Sequence, residues 1–285
     1  MNILTTIFPI YDFARTVAGD HADVSMLLPP GAESHTYEPT PRDILKIQNA
    51  DLFIYIGGES DMWVDQILSS LGDKKPRTLV LIHSVNALPE EVVPGMQAEE
   101  ESPTSGEAEV VYDEHIWTSP LNAIKMVDAI TVALSELDPA HAADFENNRA
   151  ALDQKLQELD QTFRDIVKTA KRKTIIVGDR FPFRYLTEEY GLEYYAAFPG
   201  CSAEVEPSAS TVAFLIEKVK AEKIPIVFYI EFSTHKIADA IADATGAKTM
   251  LLHSAHNVSQ EDIDSGITYL NIMSENAEKL REALN

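Results

Sequence analysis

Two histidines, His35 and His115, lie 80 positions apart in short segments of like chemistry. The first segment reads Gly31-Ala32-Glu33-Ser34-His35-Thr36-Tyr37-Glu38-Pro39-Thr40-Pro41, and the second Asp113-Glu114-His115-Ile116-Trp117-Thr118-Ser119-Pro120. Each imidazole has an acidic and an aromatic residue close by, and each segment ends at a proline that opens a helical pattern. Imidazole is the commonest protein ligand for transition metals. Two imidazoles presented on rigid turns make half of a metal site.

The rest of such a site has to come from elsewhere in the chain, so the elements that position candidate donors matter. A chain of 285 residues is long for one small domain, and two lobes are expected. The first half alternates strands with helices. Strands are expected at 2–8, 22–28, 51–56 and 78–82, and helices at 10–17, 41–49 and 62–71. Thr40 and Pro41 mark a helix start, an N-cap hydroxyl followed by a proline at the first helical position. A helix over 121–136 follows Pro120. From 140 to 171, apolar residues recur at steps of three, four or seven. At about 1.5 Å per residue this helix spans more than ~40 Å, enough for a spine linking two lobes.

The second half repeats the alternation. Strands are expected at 174–177, 193–197, 226–230 and 248–252, helices at 207–220 and 236–245, and a last helix at 269–283. The fold class is therefore α/β, with two lobes, each a mostly parallel sheet covered by helices. The expected limits are 1–139 for the first lobe, 140–172 for the linking helix and 173–285 for the second lobe. A mobile acidic loop is expected at about 94–112 within the first lobe. Ligands bind beyond the carboxyl ends of strands in such sheets. His35, Asp179, Cys201, Glu231 and His253 all follow expected strands.

Composition narrows the function. The net charge of −23 argues against a nucleic-acid partner, which requires a basic face, and suits a protein that attracts cations. No apolar run reaches the ~18 residues needed to span a membrane. A single cysteine, Cys201, excludes an intramolecular disulfide and any Cys-x-x-Cys site. His21, His83, His141 and His235 pair with nothing in the pattern and read as surface or core residues.

In several segments taken together the chain resembles the zinc- and manganese-binding solute-binding proteins of bacterial ABC importers. These are Thr6-Ile7-Phe8-Pro9-Ile10, Gly31 through Pro41, Asp51-Leu52-Phe53-Ile54-Tyr55-Ile56-Gly57, the His115 segment, Glu204-Val205-Glu206-Pro207-Ser208 and Val227-Phe228-Tyr229-Ile230-Glu231. Their order and spacing cover nearly the whole chain. The resemblance implies two α/β lobes joined by a long helix, His35 and His115 as ligands, and an ABC permease in the membrane as partner. It also implies an extracytoplasmic, periplasmic or lipid-anchored location, with a signal segment that the N-terminal residues do not display, and a monomer. The family's zinc-type members carry a charged, often His-rich insertion where the acidic loop falls; this loop has no histidine.

The chain departs from the family pattern in its second lobe. Where the family has a His or Glu, the matching residue is Arg180, a permanent cation that cannot ligate a metal. Where the family has an Asp, His253 stands in its place. The expected ligands are therefore His35, His115 and His253, with water, Cys201 or a carboxylate as the fourth. Asp179, Arg180, Glu206 and His256 are further candidates for the site or its surroundings, His256 as the fallback ligand. Glu206 and Glu231 read as structural hydrogen-bonding groups. Three imidazoles favour Zn²⁺; a harder, carboxylate-rich set would favour Mn²⁺. A zinc hydrolase is the competing reading, with Glu33 or Glu114 as a stand-in base, although His-Glu-x-x-His and Gly-x-Ser-x-Gly are both absent. A metal-free adhesin on the same fold is another, and Arg180 is its best support.

Overall fold

The computed structural model describes residues 1–96, 110–202 and 206–285. Most of the acidic segment expected at about 94–112 lies outside the described residues. The chain divides into two compact units. The first comprises Met1–Ala87, Ser119–Asp160 and Ala255–Ile272, and the second Leu88–Thr118, Gln161–Ser254 and Met273–Asn285.

The first unit is built on a sheet of four parallel strands, β1 (Asn2–Thr5), β2 (Asp23–Met26), β3 (Leu52–Tyr55) and β4 (Arg77–Val80), in the order β2-β1-β3-β4. Four helices follow in chain order, α1 (Phe8–Ala18), α2 (Pro41–Asn49), α3 (Trp63–Leu71) and α4 (Pro120–Leu137). Central β3 is Leu-Phe-Ile-Tyr and buried throughout, because helices cover a parallel sheet on both faces. The outer strands β2 and β4 are partly exposed. Leu4 and Phe53 of the sheet pack with Ile47 of α2 and with Val64 and Ile67 of α3.

Helix α2 begins where the sequence predicts. The Thr40 side chain accepts from the Asp43 amide, and the Asp43 carboxylate accepts from the Thr40 amide. This reciprocal cap satisfies two otherwise orphaned donors. It also fixes the end of the loop that carries His35.

The long helix α5 (Ala142–Thr169, 28 residues) leads in the chain from the first sheet to the second. The second unit holds β5 (Thr174–Phe181), β6 (Glu193–Pro199), β7 (Ile226–Tyr229) and β8 (Lys248–Leu251), all parallel, in the order β6-β5-β7-β8. Its helices are α6 (Arg184–Tyr190), α7 (Ala209–Glu222) and α8 (Lys236–Thr245). Ile176 and Val227 pack against Leu215 and Val219 of α7 and Ala238 and Ile241 of α8. A short helix α9 (Gln260–Ser265) and the terminal α10 (Tyr269–Leu284) complete the chain. The α/β class with two parallel helix-flanked sheets is the one expected. Among the described residues no helix is long and apolar enough to cross a membrane.

One element differs in a way that bears on function. The strand expected over 174–177 continues to Phe181 across a register shift between Val177 and Arg180. Renewed pairing of Arg180 with Phe198 and of Phe181 with Pro199 carries it on. Asp179 and Arg180, expected in a loop past the strand, therefore lie within it. Gly178 makes this possible by letting α8 come close. A β-carbon there would lie 2.6 Å from the Ala238 Cα, well inside van der Waals contact. Gly178→Ala should therefore cost about 1–3 kcal/mol of stability through overpacking. Urea unfolding followed by circular dichroism would register it as a lower midpoint, and an unchanged midpoint would contradict this packing.

Candidate metal centre

The first unit brings two imidazoles together. The rings of His35 and His256 meet edge to face with centroids 5.3 Å apart. His35 lies on the loop between β2 and α2, and His256 on the segment after β8. Asn257 stitches the two, its side-chain amide donating to the carbonyls of Pro29 and Ala32, both at 2.8 Å. The Gly31 amide donates to the Val258 carbonyl at 2.9 Å, and the Phe8 amide to the His256 carbonyl at 3.2 Å. Gly31 has φ 77°, which turns the chain there without a Cβ penalty.

Both rings are held from behind. The Ser60 hydroxyl lies 2.9 Å from His35 Nδ1, and the Ser34 hydroxyl lies 3.3 Å from His256 Nδ1. A hydrogen bond at Nδ1 fixes the orientation of each ring, with Nε2 on its opposite side. His35 is half-buried and His256 is buried.

In the second unit His115 is fully buried. Asp113 holds it twice, accepting from the His115 amide at 2.8 Å and facing its Nδ1 at 3.0 Å. Nε2 is again the nitrogen presented. Ile116–Thr118 form a short 3₁₀ turn directly after the histidine, and the Thr118 hydroxyl donates to the His115 carbonyl at 2.9 Å. Glu114 is buried beside it. Gly200 packs close, where a β-carbon would come 3.2 Å from both the imidazole and the Asp113 carboxylate.

The surroundings are acidic, and the electrostatics follow. Burial by itself pushes the His115 pKa down, but Asp113, then Glu114 and Glu90, outweigh it, and the net shift is upward. Burial raises the Glu90 pKa, although its carboxylate accepts from the Cys201 amide at 2.9 Å. Burial also drives the Cys201 thiol well above its ordinary value, helped by Glu114, Asp113 and Glu90. That thiol stays protonated at neutral pH and packs as a small apolar residue.

The expected third imidazole lies elsewhere. His253 faces the Glu231 carboxylate at 3.5 Å through Nδ1, and its backbone is clamped by Asn276, which accepts from the His253 amide at 3.0 Å and donates to its carbonyl at 2.7 Å. The histidine that meets His35 is His256, three residues on. A left-handed residue redirects the chain, since Ala255 has φ 61°. Asp179 is also in structural use. Burial raises its pKa against hydrogen bonds from Ser233 and from the Arg180 and Ile230 backbone. Arg180 is buried, with a guanidinium contact to the Ser202 carbonyl at 3.4 Å. Glu206 is exposed.

Several contributors escaped the sequence reading. Ser34, Ser60 and Glu90 carry no local signal, being common residues in irregular segments. Asp113 and Glu114 are visible in the sequence as acidic neighbours of His115, Glu114 only as a stand-in base for the competing hydrolase reading and Asp113 without a role.

Comparison with known proteins identifies the family. The family model of the zinc-uptake complex component A, periplasmic (ZnuA), matches residues 3–283. The zinc-binding lipoprotein AdcA of Streptococcus pneumoniae is 35% identical over 284 residues, which are 99% of this chain and 55% of that protein. The chain thus spans about half the length of that relative. The high-affinity zinc uptake system protein ZnuA of Bacillus subtilis is 34% identical over 286 residues, 100% of this chain and 88% of that protein. The crystal structure of the Zn(II)-bound ZnuA-like domain of S. pneumoniae AdcA superposes with a TM-score of 0.82 at 34% identity, covering 100% of this chain and 98% of that one.

The hydrogen-bonded pair in the second unit carries a direct prediction. Asp113→Asn removes the charge that raises the His115 imidazole, so its pKa should fall. Histidine-resolved NMR titration of the metal-free protein would show it, and an unchanged or higher value would contradict the role given to Asp113. With residues 3–283 matched by its model, the chain belongs to the ZnuA family of zinc-uptake components, whose members are metal-binding transport receptors and not enzymes.

Proposed function

We propose that the protein is an extracytoplasmic receptor that captures Zn²⁺ and delivers it to an ABC-type permease. We further propose that the ligands are drawn from His35, Glu114, His115 and His256, a group that could hold a metal ion. The observation that carries the reading is the shared bracing of three imidazoles. Each has an oxygen partner at Nδ1, Ser60 for His35, Ser34 for His256 and Asp113 for His115. This is the outer-sphere pattern of histidines that ligate metal through Nε2.

Three imidazoles and one carboxylate favour Zn²⁺ over Mn²⁺, which prefers a larger and harder oxygen-rich set. Cys201 is left out because the candidate donor group does not include its sulfur. His253 gives its place to His256. The extracytoplasmic location and the permease are supported by relatives named as zinc-binding lipoprotein and zinc uptake protein. The net charge of −23 suits a protein that draws cations from dilute solution.

Isothermal titration with Zn²⁺ tests the ligand set. The intact protein should bind one equivalent. His256→Ala should lose affinity by roughly a hundredfold or more, whereas His253→Ala should stay within about threefold, because only the first removes a donor. Equal losses, or a larger loss in His253→Ala, would overturn the assignment. A protein that takes up no zinc would favour the metal-free adhesin reading. Competition with Mn²⁺ should leave zinc bound.

A further inference from the structure

Glu231 belongs to no ligand set, yet it is half-buried past the carboxyl end of the second sheet, with its side chain 8% exposed. It lies two residues past β7, beside the segment that leaves β8. The two strands are paired to Tyr229 and Leu251, and the Leu252 amide extends the ladder by donating to the Tyr229 carbonyl at 2.9 Å. Beyond that point the Glu231 carboxylate takes over. One oxygen accepts from the Ser254 amide at 2.7 Å, and the other accepts from the Ser254 hydroxyl. Its first oxygen also faces His253 Nδ1.

Ser254 is gripped on its other side as well. Its carbonyl accepts from Trp117 Nε1 at 2.8 Å. Trp117 is fully buried, and its ring lies 5.3 Å from the ring of His115. The amide, hydroxyl and carbonyl of one buried serine are thus all committed, to a carboxylate on one side and an indole on the other. The next residue is Ala255, in the left-handed region, and the one after is His256. A non-glycine residue holds that conformation only where its neighbours over-determine it.

We infer that Glu231 is a positioning residue for metal capture, acting through Ser254 on two imidazoles at once: on His256 through the fixed backbone turn, and on His115 through Trp117. The reason for a carboxylate is chemical. Two groups of Ser254 converge on this side chain, and a carboxylate offers each of them an acceptor oxygen. Glutamine keeps an acceptor for the amide but turns an NH₂ toward the hydroxyl, which then has to reverse and accept. Aspartate keeps both acceptors but falls short by one methylene. The inference rests on the receptor reading proposed above.

The test compares E231Q, S254A and W117F in the full chain, with Leu215→Ala, a core substitution in α7, as a control for stability loss alone. Zn²⁺ affinity is read by titration against a chromophoric chelator, and site geometry by the visible absorption of the Co²⁺-loaded proteins. E231Q should weaken zinc by roughly tenfold or more, in the range of outer-sphere losses, and should alter the Co²⁺ ligand-field bands. S254A and W117F should change the same bands, and the E231Q/S254A double variant should lose less than the sum of the singles. Leu215→Ala should lower the melting temperature and leave affinity and bands unchanged. Should E231Q fail to fold, S254A and W117F decide. Tight zinc binding by the intact protein with unaltered bands and affinity in the folded variants overturns this inference and spares the receptor reading. A parent protein that binds no zinc overturns the receptor reading itself.

Discussion

An imidazole can bind a metal through either ring nitrogen, and which one it uses is settled by what the other one does. In this protein an oxygen partner holds Nδ1 of His35, of His115 and of His256. That bracing fixes the ring plane, and a pre-oriented ring loses less entropy when it binds a ligand. Two of the partners are serine hydroxyls and one is a buried aspartate. The aspartate does more than orient. Together with Glu114 and Glu90 it makes the surroundings of His115 electronegative enough to raise its pKa despite full burial. The same field keeps the Cys201 thiol protonated.

The fold supplies these partners from segments that follow its parallel strands. His35 follows β2, Ser60 follows β3, and the run from His253 to His256 follows β8. Strand ends leave backbone donors and acceptors without a ladder, and side chains complete the work. Asn257 serves the loop of Pro29 and Ala32, Glu231 serves Ser254, and Asn276 serves His253. Each of these polar side chains supplies a hydrogen bond where the backbone ladder no longer does. The polar groups past the second sheet, which resemble a metal site in sequence, are largely occupied in this way.

Much of this was legible in the sequence. The alternation of apolar runs with helical patterns specifies parallel sheets, and the Thr40-Pro41 pair specifies the start of α2. His35 and His115 stand out because their flanking residues place each on a turn next to a helix start. The choice between His253 and His256 was not legible. Both lie just past a strand, and what separates them is Ala255 at φ 61°, a conformation for which alanine gives no sequence signal. The serines behind His35 and His256 were hidden for a different reason. Ser34 and Ser60 are ordinary loop residues, and their role comes from tertiary placement alone. The extension of β5 through Asp179 and Arg180 depends on a bulge and on the close approach of α8 at Gly178, neither of which periodicity reveals.

The central claim is a ligand set in which His256, not His253 or Cys201, completes the imidazoles. X-ray absorption at the zinc edge of the one-to-one complex tests it most directly. The predicted spectrum has a single nitrogen and oxygen shell at ~2.0–2.1 Å, with the outer scattering of three imidazoles that falls to two in His256→Ala. A sulfur shell near ~2.3 Å, or imidazole scattering that persists in His256→Ala and falls in His253→Ala, would contradict it.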